Sequence, residues 1–323
     1  MMRCLVAASF DSRDPAKGAE LQEWSEPEAR SGWVLIDVKA ASLNHHDLWT
    51  LRGVGVDVAR LPLPLGCDVA GLDPEGNPVV VHALVADEAR GDGNELHDPK
   101  RAMFPDLGYG TFADRVLVPR QNLVAKPESL TFEEAACLPT SWLTAYRMLF
   151  TKAGVSSGDL VLVQGAGGGV STALTMLASA RGVRVWVTSR SEEKRQKALA
   201  AGAEAVFESG SRLPEKVDAV METVGAPTWN HSLRSVKTGG TIVVAGTTGG
   251  AEPPAGLDRI FYNDLRILGS AMGTRFEFEN LVLECAAGGI RPLIDQSYTL
   301  DDGVVALTRM AGGDVFGKLV ITP

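Results

Sequence analysis

Cysteine is scarce in this sequence, and none of it is arranged to bind a structural metal. The four cysteines among 323 residues lie far apart and form no Cys-x-x-Cys pair. This excludes a disulfide framework and a zinc cluster of cysteine pairs, so free thiols are expected. The sequence also lacks an apolar run near the roughly 20 residues of a membrane span, and the apolar segment before Asp11 is too short for a signal peptide. We therefore expect a cytoplasmic protein with no membrane partner.

A basic cluster is missing as well. The chain has 31 Lys and Arg against 40 Asp and Glu, a net charge of -9, and no run of cations. Nucleic acid, whose phosphates require clustered Lys and Arg, is therefore not expected as a partner. A small-molecule substrate is expected instead. A chain of this length with 45% hydrophobic residues can bury two cores, which predicts two domains.

One segment combines a strand, a glycine turn and a helix. The apolar run Leu160–Gln164 leads into Gly165-Ala-Gly-Gly-Gly169, and apolar residues at helical spacing follow. Residues without Cβ let the backbone approach a phosphate, and the start of a helix favours its negative charge. The glycines fit two registers, Gly165-x-Gly167-x-x-Val170 and Gly165-x-x-Gly168-x-x-Ser171. Taken alone, such a turn is equally an ordinary tight connection.

The surrounding pattern favours a dinucleotide-binding fold. Strand-like and helical segments alternate, as a doubly wound parallel sheet requires, and one of the helical segments is Glu192–Ala201. The predicted strands are Leu160–Gln164, Val183–Thr188, Ala205–Glu208, Val217–Thr223, Thr241–Ala245 and Arg266–Ala271.

The end of the second predicted strand bears on the cofactor. An acid that would hold the adenosine ribose of NAD is missing there, and the chain offers Ser189, Arg190 and Lys194. These groups suit a 2′-phosphate and predict NADP(H). The alternative is that both cations are solvated charges at the start of a helix, with Glu192 and Glu193 as its dipole partners.

The rest of the chain differs in composition. Short β-like runs, including Val34–Lys39, Pro78–His82 and Arg115–Val118, occupy residues 1–128, and the charged, glycine-rich segment Ala86–Arg101 is expected to be an exposed loop. We place the nucleotide domain at 129–272. Residues 273–323, with one helix and a closing strand, are expected to return to the first domain.

Several ordered motifs resemble the medium-chain dehydrogenase/reductases, and within them the quinone oxidoreductase-like branch. The resemblance covers nearly the whole chain. Besides the glycine turn, it rests on segments Ala40–Trp49 with Arg52-Gly53, Pro64–Gly71, Gly110–Asp114 and Arg266–Gly273.

The resemblance implies a GroES-like, β-rich catalytic domain from both chain ends and a Rossmann domain between them. It also implies a homodimer through the strand Arg266–Ala271. Beyond Gly165, Gly167, Gly168, Gly169 and Val170 of the turn, it adds further cofactor contacts. These are Thr144, Thr223, Val224, Gly246, Thr247 and Met272, which is placed beside the nicotinamide, together with Lys318, which is expected to reach the pyrophosphate.

The family divides by zinc, and the positions that match its Cys, His and Cys ligands are Asn44, Cys67 and Thr140. A lone thiol beside an amide and a hydroxyl is inadequate for zinc, so no catalytic metal is expected. The lobe at 83–107, which holds four cysteines in zinc relatives, has none. A metal held by His45, His46, Asp47 and Asp68 is the alternative.

Without zinc to polarise an alcohol oxygen, the natural acceptors are quinones and α,β-unsaturated carbonyls. The expected activity is hydride transfer from NADPH, with His46 as candidate proton donor or, alternatively, a structural residue. The pocket is expected to contain Asn44, Trp49, Cys67, Thr140, Tyr262 and Met272, with Cys67 read mainly as a small core residue. The alternatives are a non-catalytic NADPH-binding partner protein and a zinc-type alcohol dehydrogenase.

Overall fold

The computed structural model describes residues 1–323, which form two units. Unit 1 comprises Met1–Thr140 and Thr274–Pro323, and unit 2 comprises Ser141–Gly273. The first segment of unit 1 thus extends past residue 128, the boundary expected from sequence. The reason is a short helix, Phe132–Ala136, which begins with a capping box of Thr131 and Glu134 and packs on strands of unit 1.

Strands and helices are numbered in chain order. The strands are β1 (Met2–Ala7), β2 (Ala19–Trp24), β3 (Trp33–Ser42), β4 (Leu63–Pro64), β5 (Asp68–Leu72), β6 (Pro78–Val81), β7 (Leu84–Val85), β8 (Ala102–Met103), β9 (Arg115–Pro119), β10 (Leu123–Ala125), β11 (Leu160–Gln164), β12 (Arg184–Ser189), β13 (Ala205–Glu208), β14 (Val217–Glu222), β15 (Val236–Val244), β16 (Arg266–Gly269), β17 (Ile294–Thr299) and β18 (Lys318–Thr322). The helices are α1 (His45–Leu51), α2 (Phe132–Ala136), α3 (Leu143–Tyr146), α4 (Gly169–Ala180), α5 (Glu192–Ala200), α6 (Ala226–Ser235), α7 (Leu257–Tyr262), α8 (Arg275–Gly288) and α9 (Gly303–Gly312). No helix is both long and apolar enough to cross a membrane.

Unit 1 is built on a seven-stranded sheet in which both chain ends take part. Its order is β10-β6-β5-β3-β18-β17, and β9 pairs with the first half of β3. The last strand, β18, runs antiparallel to β3, with Val320 opposite Ser42. The tail therefore returns to the first domain. Leu48, Phe104 and Phe112 are fully buried in the core beside this sheet.

Unit 2 is a six-stranded, all-parallel sheet. Its order is β13-β12-β11-β14-β15-β16, the doubly wound order in which the first strand lies at the centre. This confirms the predicted Rossmann topology, and most strand ends agree within one residue. The main difference is β15, which begins at Val236 rather than Thr241 because Val236 already pairs with Val217 across a register shift.

The segment Ala86–Arg101 is more ordered than expected from its charge and glycine content. Two 3₁₀ turns, Glu88–Gly91 and Glu95–His97, are joined through the side chain of Asp98, which is fully buried. Asp98 accepts hydrogen bonds from the Arg90 guanidinium at 2.7 Å and from two backbone N–H groups. The Arg90 guanidinium thereby holds the pKa of the Asp98 carboxyl well below its usual range. The segment is exposed over much of its length, as expected, and the ion pair of Arg90 and Asp98 organises it.

Candidate active site

In unit 2, the glycine turn joins β11 to α4 as the sequence predicts. Gly165 and Gly167 have φ of +83° and +96°, where a side chain would be strained, whereas Gly168 is the helix N-cap at -73°. The backbone therefore demands glycine at the first two positions of the register Gly165-x-Gly167-x-x-Val170. Gly169 and Val170 open the first turn of α4, whose free N–H groups can receive an anion.

Two further loops meet this turn at the carboxyl end of the sheet. Thr223 and Val224 follow β14, and Gly246 and Thr247 follow β15. A Cβ on Gly165 would lie 3.1 Å from Val224 Cγ2, and a Cβ on Gly246 would lie 2.9 Å from the Thr223 carbonyl oxygen. The structure thus brings together three predicted cofactor segments that are remote in sequence.

The end of β12 carries the groups predicted to meet a 2′-phosphate. Ser189 is buried, Arg190 is exposed, and the Lys194 N–H is bonded to the Ser191 hydroxyl that caps α5. A residue not foreseen from sequence, Arg195, donates from its guanidinium to the Ser189 carbonyl at 2.6 Å. Arg195 thus contacts the backbone of the strand end. It follows Lys194 directly in the first turn of α5, and its charge there is the signal that could have indicated it.

Three other predicted residues of unit 2 have different surroundings. Thr144 is buried on α3, which packs against α4. Met272 has a φ of +43°, a strained conformation for a residue other than glycine and one that often marks a functional position. Tyr262 is 83% exposed at the end of α7. Its ring lies on the surface of unit 2, next to Phe261, which is 76% exposed, and its place in a substrate pocket stays a prediction.

In unit 1, the three positions that match zinc ligands form a hydrogen-bonded cluster around a carboxylate. Asn44 Nδ2 lies 3.6 Å from Cys67 Sγ, which is 3.7 Å from Thr140 Oγ1. Asp68, fully buried, accepts hydrogen bonds from Asn44 at 2.8 Å, Thr140 at 2.6 Å and Ser42 at 2.9 Å. Asp68 is thus the centre of the cluster. The sequence indicated it only as one ligand of the alternative metal site.

Lys318 belongs to the same cluster, which corrects its expected contact with a pyrophosphate. Its ammonium group is 3% exposed and lies 3.6 Å from the Asp68 carboxylate. It donates to the Leu43 carbonyl at 2.6 Å and to Asn44 Oδ1 at 2.8 Å. Two hydrogen bonds and one ion pair thus hold the ammonium group inside unit 1. The position of Lys318 at the start of β18, beside β3, directs it inward.

The first turn of α1 places two histidines and an acid beside the cluster. Asp47 is fully buried and accepts the N–H groups of Asn44 and Gly66, while burial raises its pKa to about 7. His46 is half-buried, and its Nδ1 atom is buried without a hydrogen-bond partner. Burial lowers the pKa of His46, partly opposed by the Asp106 and Asp68 carboxylates. Trp49, on the same helix, is 39% exposed.

These residues do not fit a catalytic zinc ion. The Cys67 thiol, whose pKa burial raises, stands at these positions with an amide and a hydroxyl, which are poor zinc ligands. The ligand atoms of His46, Asp47 and Cys67 lie within 4.8 Å of one another. However, the Asp47 oxygens already accept two backbone N–H groups, and the Thr140 hydroxyl donates to Asp68. His45, the other histidine considered, is exposed.

Two family models match the chain, one in each part. Residues 30–128 match the alcohol dehydrogenase GroES-like domain, and residues 169–287 match the zinc-binding dehydrogenase model. The GroES-like assignment of the β-rich part is thereby confirmed.

Characterised relatives match over nearly the full length. A 2-methylene-furan-3-one reductase of Solanum lycopersicum is 32% identical over 92% of this chain and 73% of its own. An acryloyl-coenzyme A reductase of Metallosphaera sedula is 29% identical over 95% of this chain and 97% of its own.

Solved structures show the same fold. An NAD-dependent alcohol dehydrogenase superposes with a TM-score of 0.91 at 29% identity, covering all of both chains. A crotonyl-CoA carboxylase/reductase in complex with NADP also gives 0.91, at 22% identity, over 99% of this chain and 94% of its own. With the two family models and the reductase of tomato, these matches show that the chain belongs to the medium-chain dehydrogenase/reductase superfamily.

Proposed function

We propose that this protein is a zinc-independent, NADPH-dependent reductase of α,β-unsaturated carbonyl compounds, with quinones as a second class of acceptor. The observation that carries the proposal is the cluster of unit 1. Where a metal-dependent relative needs three metal ligands, Asn44, Cys67 and Thr140 bond to one another and to Asp68. An acceptor that is already electrophilic needs no Lewis acid to take a hydride.

The names of the relatives support this substrate class. Both 2-methylene-furan-3-one and an acryloyl thioester contain a C=C bond conjugated with a carbonyl group. In such an acceptor, negative charge that arrives with the hydride is delocalised onto the carbonyl oxygen. The relatives therefore favour reduction of the C=C bond over reduction of a simple ketone.

The cofactor is NADP(H). The strand end at Ser189 offers no acid, whereas Arg190, Lys194 and Arg195 are cations in the adjoining turn and helix. A crotonyl-CoA carboxylase/reductase of the same fold binds NADP. When bound, NADPH supplies a hydride from its nicotinamide ring, and a proton must then reach the substrate carbon. Catalysis by the chain consists mainly of positioning the two reactants and delivering that proton.

The first test measures NADPH oxidation with crotonyl-CoA, enones, quinones and simple ketones, with zinc determined in the same preparation. We expect turnover with the conjugated acceptors, little with simple ketones, and substoichiometric zinc. Tight NADPH binding without turnover would instead identify a non-catalytic binding protein. Stoichiometric zinc with oxidation of simple alcohols would identify a zinc-type dehydrogenase.

Cofactor choice is tested with Arg190→Glu. The change replaces a cation by an anion where the 2′-phosphate is proposed to bind. Because a hydrogen bond to a charged group contributes roughly 1.5–3 kcal/mol, NADPH affinity should fall about ten- to hundredfold. NADH affinity should change little. Dissociation constants from cofactor fluorescence give the comparison, and Arg13→Glu, the same charge change at an exposed position of unit 1, is the control. Equal weakening of both cofactors would contradict the assignment.

We propose His46 as the proton donor, and its lowered pKa determines the sign of the pH dependence. The protonated imidazole is a cation that becomes neutral when it delivers its proton, and this form is lost as pH rises through a pKa below the ordinary value. Turnover at saturating substrates should therefore fall as pH rises above that pKa. In His46→Gln, turnover should fall by about 10²-fold or more and lose this pH dependence, while NADPH affinity is retained. An unchanged rate and pH profile would return His46 to a structural role.

We further propose a homodimer through β16. This strand is the unpaired edge of the unit 2 sheet, and such an edge is a template for pairing with a second copy. Large apolar side chains of α7, the helix that precedes β16 in sequence, are exposed in the subunit: Leu257 by 69%, Phe261 by 76% and Tyr262 by 83%.

The dimer is tested by light scattering of the double variant Phe261→Asp and Tyr262→Asp, which should have the mass of a monomer. Phe276→Asp, at a side chain of unit 1 that is 72% exposed, should leave the dimer intact. A monomeric unmodified protein would overturn the proposal.

A further inference from the structure

Beneath the cofactor loops of unit 2 lies a buried carboxylate that the proposed function does not use. Glu222 ends β14 and is fully buried. One of its oxygens accepts the N–H groups of Val224 at 2.9 Å and Gly225 at 3.0 Å, and its carboxylate also accepts the hydroxyls of Thr228 and Ser232 at 2.8 Å and 2.6 Å. All four hydrogen-bond donors are uncharged, so they must compensate for the loss of water around this group.

The backbone that Glu222 holds is the loop predicted to contact the dinucleotide. Gly225 has a φ of +91°, and a Cβ there would lie 2.3 Å from the Gly250 carbonyl oxygen. The loop is tied to the one after β15 through Gly249 N–H to the Val224 carbonyl at 2.7 Å and Ala226 N–H to the Gly250 carbonyl at 2.9 Å. Glu222 therefore anchors two cofactor loops.

A series of hydrogen bonds, each donated toward the next group, extends from the glycine turn to the Glu222 carboxylate. The Gly165 N–H donates to the Thr188 hydroxyl at 3.4 Å, which donates to Gln164 Oε1 at 2.7 Å. Gln164 Nε2 donates to the Ser232 hydroxyl at 3.0 Å, which donates to Glu222. The series crosses the ends of β12, β11 and β14 and terminates on a negative charge.

His231 fixes the direction in which these hydrogen bonds are donated. Its Nε2 atom lies 2.8 Å from the Ser211 carbonyl, which can only accept, so the ring proton is on Nε2. Nδ1 is then an acceptor, and it lies 2.9 Å from Gln164 Nε2. The amide group of Gln164 must therefore direct its nitrogen toward His231 and Ser232 and its oxygen toward Thr188.

We propose that Glu222 is a positioning residue for the dinucleotide, an inference that rests on the proposed NADP(H) function. Its carboxylate sets the loop at 223–225 directly and the start of the glycine turn through Ser232, Gln164 and Thr188. It thereby holds these segments in the conformation that binds the cofactor. Because it acts on the shared part of the dinucleotide site and not on the 2′-phosphate segment, NADPH and NADH depend on it equally.

The test is Glu222→Gln, which keeps the shape but replaces one acceptor oxygen by a donor facing N–H and O–H groups. The dissociation constants of NADPH and NADH should both rise roughly tenfold, the equivalent of about 1.4 kcal/mol, with their ratio unchanged. Turnover at saturating NADPH should stay within about twofold, since the reacting groups are untouched. Glu215→Gln, at an exposed acid just before β14 and at the opposite end of that strand from Glu222, is the matched control and should change neither constant.

Hydrogen exchange provides a second measurement. In Glu222→Gln, amide exchange should speed up in the peptide spanning 222–228 and also in the one spanning 164–170. Faster exchange confined to 222–228, or unchanged dissociation constants in the folded variant, would overturn the proposal. If this variant does not fold, Thr228→Val, which removes one donor and conserves volume, should weaken both cofactors about threefold, and no weakening would overturn it equally. An unmodified protein that binds neither cofactor would instead refute the proposed function.

Discussion

One buried ion pair, between Lys318 and Asp68, joins the two segments of the chain that form unit 1. Isolated charges in a protein interior cost several kcal/mol each, and their attraction compensates only when the remaining hydrogen-bond positions are filled. Here Asp68 receives three donors, and the Lys318 ammonium has two neutral acceptors besides the carboxylate. These hydrogen bonds determine where the side chains of Asn44 and Thr140 lie. Because Lys318 begins β18, the cluster also requires that the C-terminal strand lie beside β3.

Unit 2 satisfies a buried charge in another way. Glu222 is surrounded by N–H and hydroxyl donors from the loop that it anchors. The parallel sheet makes this possible, since the carboxyl ends of β11, β12 and β14 meet at one edge and bring Gln164, Thr188 and Glu222 within reach of one another. A fully satisfied polar network of this kind rigidifies its surroundings. Loops that bind a cofactor then lose less freedom on binding.

The structural features that could be predicted from the sequence are local ones. The glycine turn, the six parallel strands and the cations after Ser189 depend on residues that are neighbours in sequence, and the structure has them close to the predicted positions. Contacts between segments that are remote in sequence could not be predicted. Nothing near Lys318 indicates that its partners are Leu43, Asn44 and Asp68, and the buried role of Asp98 depends on its pairing with Arg90. The exposure of Tyr262 was not expected either, because a motif gives the order of residues but not their exposure.

The hydrogen-bonded cluster of unit 1 bears on the acceptor class proposed for this chain. A metal ion stabilises developing charge on a substrate oxygen by several kcal/mol, whereas a single well-placed hydrogen-bond donor contributes roughly 2.7–4 kcal/mol. In the cluster, the Thr140 hydroxyl already donates to Asp68, and the Lys318 ammonium donates to the Leu43 carbonyl and to Asn44 Oδ1. A substrate oxygen could receive these donors only if those bonds were broken. A simple ketone would therefore lack stabilisation that its reduction needs. A conjugated acceptor carries part of that stabilisation in its own electronic structure, so the proposed zinc independence and the proposed substrate class support each other.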